Sequence, residues 1–207
     1  GRFAAFGSLG ILLGSILGGV ILDYNLLFIL SSAFFFCCFI VSLKLPDIRH
    51  KKVKISLFPV DIIRKNMHLY LAFFLRHLGA GAVWIILPLF MLSVGADRFI
   101  IGSLYAVNAL TQFFMMNYIG KACEKKKELF FIKTGILLSI MIFLSFILVR
   151  EWYLIIPIQI SMGIAWSLLY VGSLNHLIDS NVEKATATGL LGSSMSLAEI
   201  IGPIAGG

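Results

Sequence analysis

The chain closes on SLAEIIGPIAGG, Ser196 to Gly207, and near its start carries an echo, SLGILLGSILGG, Ser8 to Gly19. Sliding Ser8 onto Ser196 also places Leu9 on Leu197, Gly14 on Gly202, Ile16 on Ile204, Gly18–Gly19 on Gly206–Gly207 and Gly1 on Gly189. Both stretches are apolar and rich in small residues, and the second holds a carboxylate, Glu199, in mid-run. Two like helices at opposite ends of one chain point to an internal repeat. If both cross a membrane in one direction, the repeat is parallel, its halves related by an axis along the membrane normal.

Composition sets the solvent. Of 207 residues, 59% are hydrophobic and 13% charged, and the mean hydropathy is +0.98. Soluble domains carry about 25% charged residues, so lipid is the natural medium and the class is all-α and polytopic. Helices are the open choice because each backbone group must be satisfied within its own segment. A crossing takes about 20 apolar residues. Seven segments qualify, at 3–22, 26–45, 68–93, 99–119, 128–149, 152–175 and 186–207. The first is expected to be a packed transmembrane helix rather than a signal peptide, since Gly7, Gly10, Gly14, Gly18 and Gly19 suit close packing. The three cysteines, Cys37, Cys38 and Cys123, have neither metal-ligand nor disulfide spacing and read as packing residues.

The net charge of +7 is confined to loops, which favours a membrane surface over nucleic acid. Lys44, Arg49, Lys51, Lys52, Lys54, Arg64 and Lys65 follow the second segment. Lys121, Lys125, Lys126, Lys127 and Lys133 surround the start of the fifth, and Lys184 precedes the seventh. The alternate loops hold only Asp23–Asn25, Arg98 and Arg150 among their notable polar groups. The basic loops are therefore cytoplasmic, and odd-numbered segments run outward. The second and fifth segments are apolar nearly all round and are expected to face lipid. The third, fourth, sixth and seventh carry Gly, Pro, Asn, Gln, His, Arg and Glu and are expected to face an interior.

With these features the chain resembles the major facilitator superfamily of secondary transporters. GSLGILLGSILGG is similar to the family's fifth helix, whose antiporter motif is G-x-x-x-G-P-x-x-G-G; Gly10, Gly14, Gly18 and Gly19 match, and Ser15 replaces the proline. EKATATGLLGSSMSLAEIIGPIAGG, Glu183 to Gly207, is similar to the eleventh helix, with Gly202, Pro203, Gly206 and Gly207 in the motif and Ala198 for its first glycine. GKACEKKKE is similar to the second-half cytoplasmic loop motif, with Gly120, Glu124 for the acid and Lys125 for the base; Lys127 replaces a later glycine. The resemblance implies a fragment of a 12-helix, two-bundle fold running from helix five into helix eleven. Residues 1–45 would be the last two helices of the first bundle, 46–66 a cytoplasmic link and 67–207 five helices of the second bundle. FPVDIIRKN in the link is expected to lie as a short amphipathic helix on the membrane face, with Pro59 in its first turn.

The resemblance also implies that helices seven and ten line a substrate cavity. On the seventh, His77 and Trp84 share a face with Gly81 and Pro88; on the tenth, Gln159, Trp166 and Tyr170 do so with Gly163 and Ser173. Rings with a few hydrogen-bonding groups make a binding wall or, equally, a packing seam. Asn108 and Gln112, one turn apart, are expected in the bundle interior. The stripes Gly10, Gly14, Gly18, Gly19 and Gly202, Pro203, Gly206 allow close packing, and with it gating. Arg76 and Glu199 are the costly groups, at about 2.5–3.5 kcal/mol or more for an intramembrane charge. Arg76 is close enough to the cytoplasm to snorkel. Glu199 lies near the midplane as a proton-coupling acid, a partner of Arg76 or His77, or a neutral hydrogen-bonded acid.

The function expected is secondary transport of a small solute across the cell membrane by alternating access, as proton-coupled efflux, with a symporter for uptake or a non-transporting receptor as alternatives. No cofactor, metal, nucleic acid or enzymatic activity is expected. Residues 185–207 lack the lysine of a retinal protein, and H-E-x-x-H, G-x-S-x-G and paired intramembrane aspartates are missing.

The loop charges predict that cysteines placed at Lys52 and Lys126 in a cysteine-free background escape impermeant thiol reagents applied outside intact cells. Strong external labelling at either would overturn the topology.

Overall fold

The computed structural model describes residues 2–45, 59–123 and 128–206, with side-chain surroundings given for residues 4–204 of that set. Among the described residues there are seven α-helices: α1 (Arg2–Val20), α2 (Tyr24–Ser42), α3 (Val60–Ser93), α4 (Arg98–Cys123), α5 (Glu128–Ser145), α6 (Ile155–Ser180) and α7 (Lys184–Gly206). Short 3-10 turns, Phe146–Leu148 and Trp152–Leu154, join α5 to α6. By length and composition α2 to α6 can each cross a membrane, α5 and α6 together with those turns. The apolar part of α1, Ala4–Val20, is shorter, and serines, glycines and Glu199 dilute α7.

Local chemistry sets the ends. Asp23 caps α2 by accepting a 2.9 Å hydrogen bond from the Asn25 amide, and Asp97 accepts one of 2.7 Å from Ile100 at the start of α4. Gly95, at φ +89°, takes the left-handed step that ends α3, where a side chain would be strained. The α3 helix begins at Val60, so Pro59 and DIIRKN do not form a separate surface helix; they lead straight into the third segment. At 34 residues α3 is about 50 Å long, more than a bilayer core needs, so its polar first turns reach beyond the hydrocarbon. Gly120 lies in the last turn of α4 rather than in a loop. Its motif partners Glu124 and Lys125, and residues 46–58 of the expected link, fall outside the described residues.

Packing gives the helix directions. Ser8 meets Gln112 and Gly19 meets Gly102, so α1 and α4 are antiparallel. Asn108 meets Gln159, and Ile119 and Cys123 cluster with Leu168 and Val171, so α4 and α6 are parallel. The Trp152 amide donates to the Val94 carbonyl and His77 meets Trp166, so α6 and α3 are antiparallel. Tyr70 meets Ala187 and Gly81 meets Gly202, so α3 and α7 are parallel. It follows that α1 and α7, the two echoing helices, run in the same direction. Their partners differ: α1 packs on α4 and α7 on α3. Lys65, Lys121, Lys133 and Lys184 share one end of the bundle, and Asp23, Asp97, Arg98 and Arg150 the other.

Burial separates inner from outer helices. No residue of α2 is buried, and Cys37 and Cys38 are exposed there rather than packed, while Cys123 is buried. The α5 helix is not free all round: Ile132, Gly135, Ser139 and Ile142 are buried, with Gly135 against the α6 backbone at Ala165 and Leu169. The α6 helix is the centre, with buried residues from Ile155 to Leu177.

The tightest crossing is between α1 and α4. A Cβ on Gly102 would lie 2.6 Å from the Ser15 carbonyl oxygen and 2.9 Å from the Gly19 Cα. Arg98 locks the same end, donating from Nε to the Gly18 carbonyl at 3.0 Å and from Nη1 to the Leu22 carbonyl at 3.2 Å. A cation is well placed on the carbonyl end of a helix. Gly102→Leu is expected to force these backbones apart and lower stability by about 1–3 kcal/mol, read as a fall in the unfolding midpoint of the purified protein. An unchanged midpoint would contradict the contact.

Candidate functional site

Four helices bound a cavity of about 210 Å³ lined by Arg76, His77 and Trp84 of α3, Asn108 and Gln112 of α4, Met162 and Trp166 of α6, and Met195 and Glu199 of α7. The parallel packing of α3 on α7 produces this meeting. Gly81 and Gly202 touch, and a Cβ on Gly202 would lie 2.8 Å from the Leu78 carbonyl oxygen. Tyr70 donates to the Ala187 carbonyl at 3.0 Å and Ser194 donates to the Tyr70 carbonyl at 2.9 Å. Between these ties Arg76 and Glu199, about four helical turns from the starts of their helices, come to the same depth.

Arg76 does not snorkel. Its guanidinium is turned inward over the Trp166 ring of α6, at 5.1 Å from the centroid. A cation over an indole face gains about 0.5–2 kcal/mol, most where water is excluded. Its Nε is buried without a hydrogen-bond partner. Trp166 is held in turn by stacking on Tyr170, 5.0 Å between centroids, and by an edge contact with His77 at 5.3 Å. His77 is buried, and its Nδ1 lies 2.8 Å from the Phe73 carbonyl oxygen. A carbonyl only accepts, so Nδ1 carries a proton, and in the neutral ring Nε2 is the remaining acceptor.

The opposite wall is a hydrogen-bonded chain. Gln112 Nε2 donates to Asn108 Oδ1 at 2.6 Å, Asn108 Nδ2 donates to the Gln159 carbonyl at 3.1 Å, and Ser8 Oγ reaches Gln112 Oε1 at 3.5 Å. It joins α1, α4 and α6 across the cavity edge. Glu199 is exposed, on the open side of the cavity.

Of the residues expected in a substrate wall, the structure brings together His77, Trp84 and Trp166, along with Arg76 and Glu199. Tyr170 stands behind Trp166 and does not line the cavity. Gln159 is fully buried, and its side-chain amide lies off the lining with both polar atoms unpartnered. Met162 and Met195 complete the wall; each lies one turn from a residue already singled out, Trp166 and Glu199, and that spacing was their signal in the sequence. Among the glycines, Gly19 and Gly202 pack against another backbone, whereas a Cβ on Gly10, Gly14 or Gly18 would meet nothing within 4 Å. Pro203 lies inside α7, 3.6 Å from the Cβ position of Gly81, and Gly206 closes that helix. Among the described residues no cluster of His, Cys, Asp and Glu is set to hold a metal ion.

The orphaned amide yields a prediction. An unpaired buried polar group costs about 1–3 kcal/mol. Gln159→Met keeps the shape and removes the group, so the unfolding midpoint of the purified protein is expected to hold or rise. A marked fall would show that the amide has a partner.

Comparison with curated proteins returns no match. Comparison with protein families returns the Major Facilitator Superfamily over residues 1–203. That match spans nearly the whole chain and agrees with the apolar helices: this multi-pass membrane protein belongs to the Major Facilitator Superfamily of secondary transporters.

Proposed function

We propose that this chain carries a small solute across the cell membrane by alternating access, and that it works as a proton-coupled exporter. The cavity bounded by α3, α4, α6 and α7 carries this reading. It places an aromatic wall, a cation and a carboxylate on helices of one bundle, and its open side is where a solute would enter. In this reading α1 and α2 belong to one bundle, residues 67–207 form the other, and rocking of one against the other exposes the cavity to each side in turn. Arg76, His77, Trp84 and Trp166 contact the solute. Tyr170 and Gln159 support that wall from behind. Gly19 and Gly202, with Pro203, give the close contacts along which the bundles and helices slide, and Gly10, Gly14, Gly18 and Gly206 leave small faces for further contact.

Glu199 is the coupling acid. It is the carboxylate of the cavity lining, and in this reading it exchanges a proton with water through the open side. Binding a proton and binding solute at neighbouring positions links the two equilibria, as any pair of coupled sites must.

In proteoliposomes containing the full-length protein, Glu199→Gln is expected to abolish solute flux driven by a pH gradient and to retain solute exchange without one, since an amide releases no proton. Gradient-driven flux at the wild-type rate would overturn the coupling role. A loss of stability matched by Arg76→Ala would instead make Glu199 a structural partner of that arginine. The direction of gradient-driven flux separates export from uptake.

A further inference from the structure

We propose a second binding site, for the phosphate group of an anionic phospholipid, at the lysine-bearing end of the bundle. A cavity of about 320 Å³ opens there between α3, α5 and α6. Lys65 and His68 reach it from α3, Lys133 from α5 and His176 from α6; Asn66 also lines it, but its Nδ2 donates to the Ile62 carbonyl and to Asn181. Two lysines and two histidines from three helices line it together, and no carboxylate is among the lining residues. The remaining wall is apolar, formed by Leu69, Ala72, Leu129 and Ile132.

Lys133 is the telling residue. It lies five positions beyond Glu128, in a helix whose other side chains after that first residue carry no charge. It stands about one and a half turns into α5, exposed, at the lysine-bearing end of the bundle. Snorkelling alone would place it at the lipid-water boundary with no particular neighbour; here it shares a cavity with Lys65, His68 and His176. Lys65 is oriented by donating to the Ser180 carbonyl. Asn66 is fixed by a buried amide pair with Asn181, Nδ2 to Oδ1 at 3.0 Å. The site is therefore partly built before any ligand arrives. Its exposed basic rim and apolar wall match a headgroup oxyanion above the first carbons of an acyl chain. Basic pockets between transmembrane helices on the cytoplasmic side recognise such headgroups.

The test uses the full-length protein and two probes, phosphatidylglycerol in phosphatidylcholine nanodiscs and inorganic phosphate in detergent. Lipid retention is counted by native mass spectrometry, and phosphate binding is read from the unfolding midpoint. Phosphatidylglycerol retention is expected to weaken about fivefold for each lysine removed in Lys65→Gln and Lys133→Gln. Lys133→Arg should retain it, as should Lys184→Gln at the same end of the bundle but outside the cavity. Stabilisation by inorganic phosphate that depends on both lysines, without selective lipid retention, would keep the oxyanion site and overturn the lipid as its source. Equal retention in Lys133→Gln and Lys184→Gln would overturn the proposal and leave a diffuse surface attraction. If Lys133→Gln fails to fold, Lys65→Gln against Lys184→Gln decides the same question.

Discussion

At Gly81 and Gly202 the backbones of α3 and α7 come so near that a methyl group on Gly202 would overlap the Leu78 carbonyl. Lipid supplies little drive for two apolar helices to associate, so close van der Waals contact and interhelical hydrogen bonds must do so. The α3–α7 pair uses both, with Tyr70, Ala187 and Ser194 bonded one after another along the same seam. The cavity depends on that seam. It sets Arg76 and Glu199 at one depth, and it turns His77 and Arg76 toward Trp166 of α6. A wider crossing would separate these groups by at least a side chain.

The polar groups of the cavity are held by different means, and the differences follow from their neighbours. Arg76 gains from an indole face, His77 from a carbonyl of its own helix, and Asn108 and Gln112 from each other. Of these polar groups Glu199 is the exposed one. That division leaves a built wall on three helices and one exposed carboxylate. It also explains why Trp166 is central. It touches Arg76, His77 and Tyr170 at once, so a change there would disturb three side chains together.

The two echoing helices share a direction but not a way of packing. Gly202 is pressed against α3, while Gly14, its counterpart in the repeat, meets no neighbour. In α1 the close contact shifts to Gly19, on the face that carries Ala5, Ser8 and Ser15 and lies on α4. Small residues permit close approach wherever a partner exists; they do not choose which partner it will be. A glycine stripe in a membrane helix therefore marks a capacity for packing rather than a contact.

Much of the fold was legible in the residues alone. Apolar runs longer than a bilayer core required membrane helices, and alternating lysine-rich loops set their order and direction, because both depend on composition summed over many positions. The same holds for α2, which is apolar on every face. The site was legible in part: Arg76 and Glu199 stood out because charge in an apolar run is costly, and the rings because of their helical spacing. Other matters rested on which backbone lies beside which. These include the turn of Arg76 onto the Trp166 ring, the burial of one face of α5, the place of Tyr170 behind Trp166, the retreat of Gln159 from the lining, and the gathering of Lys65, His68, Lys133 and His176. One-dimensional periodicity tells which residues share a face of a helix. Only the packing of helices far apart in sequence decides what that face meets.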